Sequence, residues 1–196
     1  MKIGVLALQG DFAEHIAMLD SIGVDAAEIR RAEQLNKIDG LIIPGGESTT
    51  IGKLSVDFGL IEPLRNFGRK NAIWGTCAGA IFLSKDARRS QPLLGLMDIT
   101  VERNAFGRQV DSFEVDLHIS ALQRVDPENR PYHAVFIRAP LIETVTGDAE
   151  ILSQLDDGRI VAAQQGRLLA TAFHPELTDD NRFHRYFVEL ASVRVR

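Results

Sequence analysis

The sequence predicts an α/β protein of three layers, with a mostly parallel central sheet, helices on both of its faces and antiparallel strands added to it. Three observations carry that expectation. Near-continuous apolar runs of strand length, Lys2 to Leu8, Asp39 to Ile43 and Ala72 to Trp74, suit strands buried on both faces. Helix-length segments separate them at the spacing of βαβ units. After Gly95 the helix signals fade and strands crowd together. One of these, Ser112 to Ile119, alternates polar and apolar residues without a break, the mark of a strand with one wet face. No linker-like stretch, repeat or low-complexity segment divides the chain, so a single domain over residues 1–196 is expected.

Taken in order, the first strand is followed by the turn Gln9-Gly10. Asp11 is then placed to cap a helix with Phe12, Ile16 and Leu19 on its apolar face and Gly23 as its stop. A strand from Val24 to Arg30 and one from Asp39 to Ile43 come next. The latter runs into the loop Pro44-Gly45-Gly46-Glu47-Ser48-Thr49-Thr50, where Ser48 or Thr49 can cap the helix that follows. The Ala72–Trp74 strand leads into an apolar helix from Ala78 to Leu83. Leu96 to Arg103, Ala134 to Arg138, Ala149 to Gln154, Arg159 to Gln164 and Leu168 to Phe173 read as further strands, the last two forming a hairpin around Gln165-Gly166. A closing helix spans about Thr178 to Val193, with Asp179 or Asp180 as its cap.

Composition narrows the function classes. Hydrophobic residues make up 45% and charged residues 25% of the chain, which argues against disorder and against a membrane protein. With 22 basic and 27 acidic residues, and the arginines dispersed, the net charge of -5 argues against nucleic acid as a partner. The lone cysteine excludes an internal disulfide framework and suits a reducing compartment, and Met1 to Leu8 is too short for a signal-peptide core. A cytoplasmic protein is expected.

The chemistry centres on Gly75-Thr76-Cys77-Ala78-Gly79. A cysteine between a buried strand and a helix, flanked by glycines at i−2 and i+2, has the pattern of a nucleophile elbow, whose sharp turn demands small neighbours. Unpaired N–H groups and the dipole at the helix start favour a thiolate, and the Ala78 N–H is placed to donate to an oxyanion. Free cysteines are in general packing residues; the elbow context favours a nucleophile here.

A thiol needs a base, and His174 is the best placed of the five histidines, because it follows the Leu168–Phe173 strand at the same sheet edge as Cys77. In extended chain Glu176 would face the same way and accept from the imidazole, with Pro175 holding the segment extended. His15 and His184, on helices, read as structural. No spacing of His, Cys or carboxylates argues for a metal. The Gly45-Gly46 loop fails the phosphate-loop pattern, since Glu47 stands where a glycine is required. It suits either a plain tight turn or a second oxyanion donor at the Gly46 N–H, with Glu47 or Ser48 meeting a small polar substrate. Arg103 and Arg138 end apolar strands; either fits a bidentate carboxylate contact or a solvated strand end.

These motifs resemble those of the class I, triad-type glutamine amidotransferases, and within them the glutaminase subunits of pyridoxal 5'-phosphate synthase. The resemblance covers nearly the whole chain: Leu8-Gln9-Gly10-Asp11 with His15, Pro44 to Thr50, Gly75 to Gly79, Glu102-Arg103-Asn104 with Phe106 to Gln109 and Asp111-Ser112-Phe113, Phe136 to Pro140, and Phe173 to Thr178. Asn71-Ala72 before the elbow strand and the Val193 to Arg196 tail depart from the family pattern. The resemblance implies a flavodoxin-like fold, a Cys77-His174-Glu176 triad, and Gly46, Glu47, Ser48, Arg103, Ile137 and Arg138 as glutamine-binding positions. Gly46 and Ala78 form the implied oxyanion hole. It also implies hydrolysis of L-glutamine to glutamate through a thioester, with no cofactor, and transfer of the ammonia to an α/β-barrel synthase subunit in a large hetero-oligomer.

Overall fold

The computed structural model describes residues 1–103 and 112–193. The block of sequence from Asn104 to Asp111 and the tail Arg194 to Arg196 lie outside the described residues. The first half is β1 (Lys2–Leu6), α1 (Phe12–Ser21), β2 (Asp25–Ile29), β3 (Gly40–Ile43), α2 (Ser48–Asp57), α3 (Ile61–Gly68), β4 (Ala72–Thr76), α4 (Ala78–Leu83) and β5 (Ser84–Asp86). The second half is β6 (Met97–Glu102), β7 (Ser112–Leu117), β8 (Tyr132–Ile137), β9 (Leu141–Val145), β10 (Glu150–Gln154), β11 (Ile160–Gln165), β12 (Leu168–Thr171) and α5 (Arg182–Ser192). Short 3₁₀ turns lie at Ala32–Lys37, Ser120–Arg124 and Pro175–Leu177.

The main sheet has the order β2-β1-β3-β4-β12-β11-β9-β6-β5, with β10 on β11. β2, β1, β3, β4 and β12 are mutually parallel. This is the flavodoxin-like doubly wound order, in which ligands bind outside the carboxyl ends of the strands, at the switch point between β1 and β3. Antiparallel pairings extend it through β11, β9 and β6, and β5 then joins β6 in parallel at the edge. β7 and β8 were expected among the strands, and they form a separate two-stranded antiparallel ribbon.

Burial of both faces explains why the central strands β3 and β4 are mainly apolar, while the edge strand β2 is part polar and only partly buried. On β3, Leu41 and Ile43 face a core shared with Ile51 of α2, Leu64 of α3 and Phe82 of α4. Ile42 faces the opposite core, with Leu19 of α1 and Phe183 and Phe187 of α5. β4 divides likewise, Ile73 to the first and Trp74 to the second. Burying each such side chain contributes roughly 1.5–3 kcal/mol, and residues filling both faces fix the strand register.

Some boundaries differ from expectation, for local reasons. Asp11 makes no capping bond to α1; its carboxylate lies instead 3.7 Å from Nδ1 of His174. Glu47 rather than Ser48 or Thr49 caps α2, accepting the Thr49 N–H at 3.2 Å. α5 begins at Arg182, because Asp180 accepts both the Arg182 N–H, at 3.1 Å, and its guanidinium. β9 was not expected, since its Leu-Ile-Glu-Thr-Val run directly follows Pro140 and is half polar. Among the described residues no helix is long and apolar enough to cross a membrane.

Candidate active site

Parallel pairing sets the site. Thr76, the last residue of β4, lies in register with Thr171, the last of β12, and Gly75 with Ile43, the last of β3. The chain segments leaving these three strands therefore emerge side by side. Cys77 occupies the elbow at φ 47° and ψ −106°, a left-handed conformation that costs a non-glycine residue about 1–3 kcal/mol. The turn is over-determined by its neighbours. Cys77 N–H donates to Thr171 O at 2.8 Å, and a Cβ on Gly79 would come within 2.0 Å of Ile43 O. A Cβ on Gly75 would meet Gly79 O at 2.4 Å. Both glycines of the pattern are thus steric requirements. Ala78 opens α4, so its N–H has no acceptor within the helix. α4 spans the six residues expected from the sequence, a short helix with few aligned dipoles; the thiol interacts electrostatically with His174.

His174 follows β12, its N–H held by Val135 O at 2.9 Å. The segment after it is not extended, as the sequence reading had it, but a 3₁₀ turn over Pro175–Leu177. The fixed φ of proline suits the first position of a helical turn as well as an extended chain. The turn still brings Oε1 of Glu176 to 2.7 Å from Nδ1 of His174. Since Nδ1 is engaged by the carboxylate, Nε2 is the nitrogen left for Cys77. Burial works against a charged imidazole, but hydrogen bonds to Cys77 and Glu176, together with their charge, outweigh it and push His174 up to about 10. Burial also raises the Glu176 carboxyl, against the pull of His174.

A cavity of about 390 Å³ opens above these groups, lined by Gln9, Asp11, Gly46, Glu47, Ser48, Cys77, Ala78, Ile81, Arg103, Ile137, Arg138, Pro140 and His174. Every site residue expected from the sequence is brought here except Glu176, which lies behind His174. Arg103 reaches Glu47, Nη2 to Oε2, at 2.8 Å. Partial burial raises the Glu47 carboxyl, but hydrogen bonds from Thr49 and Arg103 hold it below its ordinary value. Arg138 adopts φ 44°, so a second strained non-glycine residue borders the cavity beside Cys77. Ser48 turns its hydroxyl toward Gln91, 3.5 Å away. Asp11, His174 and Glu176 bring one donor atom each within 4.8 Å of one another, but Nδ1 and Oε1 are already bonded to each other, an ion pair rather than a ligand set.

Two contributors were not singled out by sequence. Gln9 accepts the Glu47 N–H on its Oε1 at 2.7 Å and so ties the loop after β1 to the loop after β3. His15, read as structural, is completely buried beneath His174 and Glu176, 3.4 Å from Oε2 of Glu176. Its signal was a polar residue inside the apolar stripe of α1.

The model of the SNO glutamine amidotransferase family matches residues 5–193. A protein of Herpetosiphon aurantiacus named pyridoxal 5'-phosphate synthase subunit PdxT is 57% identical over 195 residues, covering 97% of this chain and 100% of that protein. A PdxT of Moorella thermoacetica is 57% identical over 192 residues, covering 97% of this chain and 99% of its own. Among solved structures, one described as a glutamine amidotransferase superposes with a TM-score of 0.90 at 48% identity, covering 97% of this chain and 99% of that one.

Proposed function

This chain belongs to the SNO glutamine amidotransferase family and hydrolyses glutamine, supplying ammonia for pyridoxal 5'-phosphate synthesis; from that premise we propose that Cys77, His174 and Glu176 carry out the hydrolysis. The observation that carries this assignment is that Cys77 and His174 line the same cavity while Glu176, behind, holds His174 Nδ1 at 2.7 Å. The Cys77 thiolate attacks the side-chain amide carbon of glutamine, and the carbonyl electrons move to oxygen. The N–H groups of Gly46 and Ala78 receive that oxyanion. His174 protonates the departing nitrogen, which leaves as ammonia, and a thioester remains. His174 then takes a proton from water, whose oxygen attacks the thioester to release glutamate and restore the thiol.

The cavity volume, at the small end of ligand pockets, supports a small substrate. Arg103 and Arg138 are assigned to its carboxylate, Glu47 and Ser48 to its other polar groups, and Ile137 to its apolar contact. The ammonia goes to an α/β-barrel synthase subunit in a hetero-oligomer, in the cytoplasm, where a lone thiol stays reduced. That partner docks near α1 and the Gly46 loop and completes the oxyanion hole by ordering the segments around Gly10 and Gly46. Losing one oxyanion donor costs a factor of ~100 to 1,000 in rate, so the isolated chain turns over slowly.

Glutamate release from glutamine by the purified chain, alone and with the synthase subunit, with Cys77→Ala as control, tests this reading. Cys77-dependent release, stimulated by the partner, is expected. Release that survives Cys77→Ala, or none in either condition, would overturn the assignment.

A further inference from the structure

Beneath Glu176 lies a buried polar chain that the proposed chemistry does not use. His15 on α1 and His184 on α5 are both 0% exposed. Nδ1 of His15 is 2.9 Å from Nε2 of His184. Its other nitrogen, Nε2, is 3.2 Å from Thr76 Oγ1 and 3.4 Å from Glu176 Oε2. While Oε1 of Glu176 is bonded to His174, Oε2 is buried and has no hydrogen bond of ordinary geometry among the described residues. The His15 ring edge is therefore the donor placed to meet it.

The network fixes the tautomers. If Nε2 of His15 carries the hydrogen, it points at Thr76 and at the carboxylate, and Nδ1 accepts the Nε2–H of His184. His184 Nδ1, which has no partner, is then a bare lone pair. The opposite assignment aims a lone pair at the carboxylate and strands an N–H of His184 in the core, the costlier arrangement. Both rings stay neutral. Burial first, and then the charges of His184 and His174, hold His15 well below its ordinary value; burial lowers His184 to about 3. Trp74 packs edge-on against both rings and supplies no charge. Packing alone would be served by an apolar side chain at position 15, at no desolvation cost.

We propose that His15 is a positioning residue for Glu176: its Nε2–H holds Oε2 so that Oε1 stays on His174 Nδ1, and His184 locks His15 in the donating tautomer. This rests on the reading of Cys77, His174 and Glu176 as the triad. Without the donor, a buried carboxylate with one unpaired oxygen rotates or takes up a proton, and in either case it ceases to hold the imidazolium.

The test compares His15→Gln, His15→Asn and His15→Leu in the complex with the synthase subunit, each shown to be folded by circular dichroism. A glutamine amide places its nitrogen near the position of Nε2, an asparagine amide near that of Nδ1. His15→Asn and His15→Leu are expected to lower kcat about 10- to 100-fold with KM little changed, and to move the alkaline limb of the kcat/KM profile to lower pH. His15→Gln is expected to keep most of both. Should the leucine variant not fold, the Gln and Asn pair decides. Wild-type kcat in the Asn variant, or equal losses in Gln and Asn with the limb unmoved, would reduce His15 to a packing residue. Absence of Cys77-dependent glutamate release in the wild-type complex would instead overturn the triad reading, and this inference with it.

Discussion

Nδ1 of His174 sits 2.7 Å from Oε1 of Glu176 across the first turn of a 3₁₀ helix. That contact, with the bond to Cys77, overcomes burial and pushes His174 up to about 10. Replacing Glu176 by Gln keeps the volume and removes the charge. The expected result is a kcat lower by roughly 10²–10⁴-fold, and an alkaline limb of kcat/KM displaced toward the ordinary histidine value of about 6.5. Stability follows the same sign. A folded-state value above the unfolded one adds stability that is fully present below about pH 6.5 and is lost as pH rises toward 10. Denaturant midpoints should therefore fall across that window in wild type and fall less in Glu176→Gln.

Arg103 bridges to Glu47 through Nη2 at 2.8 Å on the wall of the cavity, and among the described residues no other hydrogen bond from its guanidinium is seen. A contact made equally in the ground and transition states changes KM and spares kcat. Arg103→Ala should raise KM for glutamine about 10- to 100-fold, the loss of one charged hydrogen-bonded contact of roughly 1.5–3 kcal/mol. Arg103→Lys should recover only part of this, because an ammonium cannot form the two-pronged contact. Steady-state kinetics on the three proteins decide it; an unchanged KM would remove Arg103 from the binding assignment.

What the sequence made legible is what local chemistry controls. The apolar runs of β1, β3, β4 and β12 are long enough, and alternate sharply enough between two cores, to announce a doubly wound sheet. The Cys77 elbow was readable because its glycines flank the cysteine at fixed spacing, although the atoms they make room for include Ile43 O on a different strand. The turn at Pro175 was not, since proline is equally at home in both candidate backbones. Nor was the place of His15, whose partner His184 is 169 residues away. A helical position gives the stripe on which a histidine lies, but only the packed fold says what meets it. Glu47 was read as a substrate contact; it also caps α2 and holds Arg103, a double role that spacing cannot express.

The buried histidines predict acid sensitivity. His184 is lowered to about 3 by burial, so the unfolded chain binds a proton between about pH 6.5 and 3 that the folded chain refuses. The stability from His184 is present above pH 6.5 and is lost as pH falls through that interval, and His15 adds in the same direction. His184→Gln can still donate to His15 but does not titrate. Thermal melts from pH 7 to pH 4 should show a shallower decline for His184→Gln than for wild type; parallel curves would assign the acid limb to carboxylates.

The loops after β1 and β3 are keyed into each other by backbone, and this gives the sharpest steric prediction. Gly10 has φ 102° and Gly46 φ 147°. Asp11 N–H donates to Gly45 O at 3.1 Å, and Gln9 Oε1 accepts the Glu47 N–H at 2.7 Å. A Cβ on Gly10 would fall 1.7 Å from Gly45 O, and no side-chain rotation relieves a clash with backbone. Gly10→Ala must therefore displace Gly45 to Glu47, and with them the Gly46 N–H assigned to the oxyanion, while Cys77 and His174 stay anchored by their backbone bonds to Thr171 and Val135. Glutamine turnover in the complex should drop by ~100 to 1,000-fold, yet alkylation of Cys77 by iodoacetamide should proceed at near the wild-type rate, since it needs the thiolate and not the oxyanion hole. If alkylation fell in step with turnover, the damage would lie in the thiol–imidazole pair, and the oxyanion role of Gly46 would lose its support.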